Sequence, residues 1–219
     1  MPPPALIKAV VFDLDGLMFN TEDIFNEVGR MVLARRQKEM TRELLQQMMG
    51  RRAPEALQIM IDFHELSDTV IGLIDETRAL FTELAVDRLA PMPGLFSLLA
   101  HIETRGLAKG VATSSGRHYL EEMLNRFQLL ERFQMTLAAE DVTHGKPHPE
   151  IYQTAALRLG VAPHEMLVLE DSHAGTTAAV NASAIVVSVP NDHSRYQDFS
   201  HAAYVAERLD DPYVLQLLG

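Results

Sequence analysis

The chain has 219 residues, 47% hydrophobic and 22% charged, the balance of an ordinary globular protein with room for one large domain or a core with a modest insert. Its net charge of −11 argues against general binding to nucleic acid or anionic membranes. The absence of cysteine excludes disulfides, a thiolate nucleophile and cysteine-ligated zinc, and no apolar run approaches the roughly 20 residues of a membrane helix.

The first segment, MPPPALIK, lacks the charged and apolar regions of a signal peptide, so a cytoplasmic protein without nucleic-acid or membrane partners is expected. If its substrate is an anion, local positive charge must attract it. Ile7, Val10, Val11 and Phe12 read as a buried strand that runs straight into Asp13 and Asp15. Buried carboxylates are rarely left unpaired, because desolvating an ion is costly. Yet no Lys or Arg follows until Arg30.

Thr21 is predicted to cap a helix running to about Arg36, with Glu22 and Asp23 in its first turn. Only helical patterning follows as far as about Ala90, with breaks near Gly50 and Pro54 and around Ser67. Val70, Leu73, Ile74, Leu80 and Leu84 recur at helical spacing. PMPG, residues 91–94, is a stiff break suited to a linker.

Beyond it the rhythm changes. Leu107–Thr113, Gln134–Ala138, Met166–Leu169 and Ile185–Val189 read as strands. Helices near Leu95–Arg105, Arg117–Phe127, Pro149–Leu159 and Ala174–Ala182 separate them. That alternation predicts an α/β fold, a Rossmann-like doubly wound parallel sheet, with the all-helical segment as an insert. Ligands bind beyond the carboxyl ends of such strands. Those ends carry DLDG, TSSG and LEDSHAG, and the loop THGKPHPE precedes a helix near Pro149. Four carboxylates (Asp13, Asp15, Glu170, Asp171), hydroxyls and a lysine would share one rim.

DLDG, TSS, GKPHPE and LEDSHAG, in this order, resemble the four motifs of the haloacid dehalogenase superfamily, and the similarity covers essentially the whole chain. The helical insert resembles that superfamily's cap domain, in the subgroup of β-phosphoglucomutases and small sugar-phosphate phosphatases. The resemblance implies a catalytic core of residues 1–18 and 92–219 and a helical cap of residues 19–91. It implies a monomeric phosphatase acting on a small phosphomonoester through an aspartyl phosphate. Asp13 would be the nucleophile and Asp15 the acid and base. Thr113, Ser114 and Lys146 would bind the phosphoryl group. Mg²⁺ would be held by the side chains of Asp13 and Asp171 and the backbone carbonyl of Asp15, with Glu170 close by as a ligand or just behind the ligands. Clustered carboxylates on one rim need a hard cation in any case, and an oxygen-only site suits Mg²⁺. The alternatives are a β-phosphoglucomutase-type phosphomutase and a non-catalytic module that binds a phosphorylated ligand.

In the cap, MMGRRAPEAL could turn at Gly50 and present Arg51 and Arg52 to a substrate anion. Ala53 stands where the mutases carry an arginine, and the basic pair looks more like pseudouridine-5′-phosphatase and related sugar-phosphate phosphatases. Two positions depart from the family pattern: Asn20 stands where an aspartate is usual, and Ser183 where a glycine is common. His144 and His148 are not expected to pair on a metal, because Gly145 and Pro147 break the helix such spacing would use. His173, His193 and His201 read as surface or loop residues, and Met48, Met49 and Met60 as filler of the cap core.

Overall fold

The computed structural model describes residues 7–48 and 51–219. In chain order the elements are β1 (Ala9–Phe12), α1 (Thr21–Ala34), α2 (Arg42–Met48), α3 (Ala53–His64), α4 (Val70–Arg88), α5 (Leu95–Thr104), β2 (Ala108–Ala112), α6 (Arg117–Arg126), β3 (Met135–Leu137), α7 (Glu150–Leu159), β4 (Met166–Glu170), α8 (His173–Asn181), β5 (Ile185–Ser188), β6 (Tyr204–Val205) and α9 (Pro212–Leu218). They form two compact units, one of residues 1–19 and 91–219, the other of residues 20–90.

The first unit is built on one six-stranded sheet of order β3-β2-β1-β4-β5-β6, with every pairing parallel. Parallel strands covered on both faces read as continuous apolar runs. AVVF of β1 and MLVLE of β4 are accordingly buried at every residue. Val11, Val168, Tyr152, Ala155 and Ala179 meet in the core between the sheet and its helices. Fully burying a valine-sized side chain is worth about 1.5–3 kcal/mol, so the central strands hold the sheet rigid where the site is built. Phe12 lies opposite both Val111 and Leu169. That register brings the carboxyl ends of β1, β2 and β4 level.

The second unit is helical. Leu73 and Leu80 of α4 are buried, while Val70, Ile74 and Leu84 are half-buried at the edge of the same stripe. The stripe packs on α1, and Phe25 of α1 stacks on Phe81 with ring centroids 4.5 Å apart. Met60 is buried and Met48 half-buried, whereas Met49 and Gly50 lie outside the described residues.

Some local expectations shift. Thr21 is the first residue of α1 and Asn20 its cap, with no side-chain capping bond; the helix ends at Ala34. Pro54 does not break a helix but sits in the first turn of α3, where its missing N–H costs nothing. The backbone at Ser183 is left-handed, with φ 64°, the conformation a glycine would adopt without strain. No described helix is long and apolar enough to cross a membrane.

Each unit is closed on itself where residues 19–20 and 90–91 pass. In the first, Phe19 pairs antiparallel with Pro91, and Met92 N–H donates to Met18 O at 2.9 Å. In the second, Asn20 N–H donates to Ala90 O at 3.1 Å. The Asn20 side chain accepts from Ala90 N–H at 2.7 Å and donates to Arg88 O at 3.1 Å. An aspartate there could make only the first of these side-chain bonds.

Candidate active site at the carboxyl ends of the strands

Asp13 follows β1 directly, and its N–H donates to Leu169 O at 3.0 Å, carrying the ladder one residue past the strand. Its side chain is almost wholly buried. Lys146 Nζ donates to Asp13 Oδ1 at 2.5 Å, to Glu170 Oε1 at 2.6 Å and to Ala112 O at 3.1 Å, so all three of its protons are placed. The lysine lies over the Tyr152 ring, 5.1 Å from the centroid.

Glu170, fully buried at the end of β4, receives four donors. Lys146 and Tyr152 Oη meet Oε1, the tyrosine at 2.6 Å. Ser172 N–H at 3.2 Å and Ser172 Oγ at 3.0 Å meet Oε2. Two oxygens offer about four lone pairs, and all four are taken. Gly175 makes this possible: a Cβ there would stand 1.7 Å from Glu170 Oε1.

Asp15 is held by hydroxyls. Ser115 Oγ donates to Oδ2 at 2.6 Å and Tyr119 Oη to Oδ1 at 2.8 Å, with Thr113 Oγ1 farther off at 3.4 Å. Thr113 is buried, and its Oγ1 accepts from Ser115 N–H at 3.0 Å. Ser114 lies half-buried in the same turn; the serine that meets the carboxylate is its neighbour Ser115. Asp171 Oδ2 accepts from Asn191 Nδ2 at 2.8 Å, and the same amide nitrogen donates to Gly16 O at 3.1 Å. Gly16 is required twice over. Its φ is +77°, and a Cβ would lie 2.5 Å from Asp171 Oδ2.

The electrostatics show what the cluster lacks. Burial pushes the Asp13 carboxyl well above the carboxylate range; Lys146 opposes this, and the nearby Glu170 and Asp15 charges reinforce it. Burial works to lower the Lys146 ammonium, but Asp13 and Glu170 outweigh it and hold its pKa above the usual lysine value. Tyr152 is raised as well, by burial and then by Glu170, so it remains a proton donor. One ammonium thus serves four neighbouring carboxylates. Oxygens of Asp13, Glu170 and Asp171 lie within 4.8 Å of one another, a donor set that suits a hard divalent cation.

The residues named from sequence therefore do not all stand together. Asp13, Asp15, Thr113, Lys146, Glu170 and Asp171 converge on the first unit's strand ends, with Ser114 in the adjoining turn. Arg51 and Arg52 belong to the second unit. Arg51 Nε donates to Gln47 O at 2.8 Å. Arg52 caps α3, and its Nη2 is buried without a hydrogen-bond partner among the described residues. Tyr119, Tyr152 and Asn191 were not foreseen. They come from helices and a late loop whose patterns show only that each is placed, not which carboxylate it meets. One expectation is overturned: His144 and His148 do come together, through a turn instead of a helix, with ring centroids 4.5 Å apart.

Residues 10–189 match the haloacid dehalogenase-like hydrolase family. The chain belongs to that family. Among curated relatives of this hydrolase, the phosphorylated carbohydrates phosphatase of Thermotoga maritima is 32% identical over 180 residues, covering 80% of this chain and 82% of the relative. A Drosophila melanogaster protein named as a probable pseudouridine-5′-phosphatase is 33% identical over 207 residues, covering 92% and 89%. Among solved structures, CbbY of Rhodobacter sphaeroides in complex with phosphate superposes with a TM-score of 0.81, covering 93% of this hydrolase and 95% of that chain at 24% identity. At that identity the match speaks for the fold.

Proposed function

We propose that this phosphoric monoester hydrolase cleaves a small sugar phosphate or nucleotide-like phosphomonoester through an aspartyl phosphate on Asp13. The observation that carries the reading is the buried Lys146, fixed between Asp13 and Glu170, with the hydroxyl-held Asp15 on the same rim. Asp13 attacks phosphorus; the new O–P bond forms as the bond to the leaving oxygen breaks. Asp15 gives its proton to that oxygen. A water then attacks phosphorus, Asp15 takes the water's proton, and the O–P bond to Asp13 breaks. Positioned acid–base transfer contributes typically about 10²–10⁴-fold. Dividing the barrier between two covalent steps supplies part of the remainder.

Mg²⁺ fits the oxygen donors described above. Asp13 and Asp171 would hold it with the backbone carbonyl of Asp15, and it would supply charge neutralisation at the transferring phosphoryl group. Glu170, with its lone pairs filled, serves instead to aim Lys146. Thr113 and the turn at Ser114 and Ser115 supply donors for phosphoryl oxygens. In the second unit, the unpartnered Arg52 Nη2 is the nitrogen that calls for an acceptor, and an anionic or hydroxyl-rich part of the substrate would provide one. Arg51, tied to Gln47, has the weaker claim. The names of the two curated relatives point to phosphorylated sugars and nucleosides, which accords with such a leaving group.

The test is phosphate release, with Mg²⁺ present, across sugar phosphates, nucleotides and pseudouridine phosphate, with Asp13→Asn run beside the wild type. At least one compound is expected to be turned over, and the variant, folded but without its nucleophile, should keep less than a few per cent of that rate. Substantial turnover by the variant would remove Asp13 from its role. Isomerised sugar phosphate in place of free phosphate would make the protein a mutase.

A further inference from the structure

The loop that carries Lys146 into the carboxylate cluster bears a second set of ligating side chains on its exposed side. His144, His148 and Glu150 each offer one ligand atom, and these atoms lie within 4.8 Å of one another. Both imidazoles turn Nδ1 toward one oxygen, Glu150 Oε2, at 3.0 Å from His144 and 3.9 Å from His148. The backbone fixes this meeting. Glu150 accepts from Thr143 N–H at 2.8 Å and His144 N–H at 2.9 Å, and His148 N–H donates to Gly145 O at 3.0 Å.

The protonation states suit a cation. The two backbone N–H groups hold the Glu150 carboxyl down at about 2, so it is an anion at any working pH. His148 Nδ1 accepts from Glu150 N–H at 3.3 Å, so that nitrogen presents a lone pair to the shared space.

Distances decide which class of ion fits. Ligands about 2.1 Å from an ion stand about 3.0 Å apart at a right angle and about 3.4 Å apart at the tetrahedral angle. The His144–Glu150 separation of 3.0 Å meets that as it stands. The His148–Glu150 separation of 3.9 Å closes by a small rotation of a side chain that is 49% exposed. Two imidazole nitrogens and one carboxylate oxygen favour a borderline transition ion over a hard one, the reverse of the oxygen-only cluster at the strand ends.

We propose that His144, His148 and Glu150 bind a divalent transition ion of the zinc class, with water completing the shell, at a site separate from the strand-end cluster. An ion there joins residues on both sides of Lys146 and braces the loop that positions it. The two sites differ in ligand chemistry, so both can be filled at once.

The experiment is a calorimetric titration of the wild-type protein with Zn²⁺ near neutral pH, with Mg²⁺ in excess to occupy the oxygen-only cluster. One equivalent of zinc is expected, with a rise in melting temperature. His144→Ala/His148→Ala should lose the equivalent and the thermal shift, and His144→Gln should bind at least about tenfold more weakly. Far-UV circular dichroism and the zinc-free melting curve establish that each variant is folded. Asp171→Asn, which alters only the other cluster, should keep its zinc. No binding by the wild type, or equal binding by the double variant, overturns the site. So does zinc lost from Asp171→Asn but kept by the double variant.

Discussion

At Ser183 the chain turns from α8 to β5 through a left-handed residue, φ 64°, and a side chain there is strained by about 1–2 kcal/mol. A glycine relieves the strain but has more unfolded freedom to lose. Ser183→Gly is therefore expected to stabilise the protein by on the order of 0.5–1 kcal/mol, read as a higher urea midpoint at unchanged slope. Gly175 is the opposite case. It is helical and unstrained, yet any Cβ would collide with the Glu170 carboxylate. Gly175→Ala should destabilise by on the order of 1–3 kcal/mol, the scale of core overpacking. It should also lower kcat, because Glu170 is the anchor of Lys146. A variant with wild-type urea midpoint and kcat would show that Glu170 moves aside freely. At this scale the sequence was legible wherever chemistry followed a strand, as at Asp13, Asp15, Glu170 and Asp171. Tyr119 and Tyr152 were not, since a tyrosine in a helix announces burial and leaves its hydroxyl's partner unstated.

Among elements, α1 and α4 are tied by a charged knot at the far end of α1. Arg36 donates to Asp68 at 2.8 and 2.6 Å and to Glu76 at 2.7 Å, and Arg35 to Glu76 at 2.7 Å. The Arg36 hydrogen bonds hold both carboxyls below their ordinary values. A carboxyl lowered on folding adds stability that is full above its unfolded pKa and disappears as pH falls through the folded one. Arg36→Ala should cost on the order of 1–2 kcal/mol at neutral pH, since the pair is bidentate but partly exposed. The gap in melting temperature between wild type and variant should hold steady down to about pH 4.5 and shrink in more acid solution. A gap independent of pH would assign the effect to packing of the arginine stem. The element pattern itself was readable because the sheet's central strands are continuous apolar runs. β6 was missed for the same reason: its two residues are exposed, and an edge strand that short has no periodicity to read. The short α9 also escaped. Proline misled in both directions. Pro54 read as a break yet begins α3, and Pro147, with Gly145, hid a turn that gathers His144, His148 and Glu150.

Across the whole molecule the charge is −11, and the strand-end carboxylates concentrate part of it in a buried place. A cation bound there by the folded state alone stabilises that state, by about 2.7 kcal/mol at a hundred times its dissociation constant. The protein stripped with EDTA should therefore melt at lower temperature and lose its phosphatase activity. Mg²⁺ should restore both, and Ca²⁺ should restore the melting point while leaving activity low, because its longer bonds and higher coordination misplace the phosphoryl group. Full activity in EDTA would leave the cluster without a catalytic cation.

The pairing of Phe19 with Pro91, and of Asn20 with Ala90, bears on how such a chain can change over generations. Residues 20–90 leave the sheet-bearing unit and return to it at neighbouring points, so the sheet is threaded as though a tight turn joined Phe19 to Pro91. Whatever hangs from that junction can be lengthened, shortened or replaced as a cassette without disturbing the register of β1 against β2 and β4. Chemistry and selectivity are thereby stored in separately editable stretches of one gene, and a new substrate can be acquired by rewriting the insert while the catalytic strand ends stay as they are.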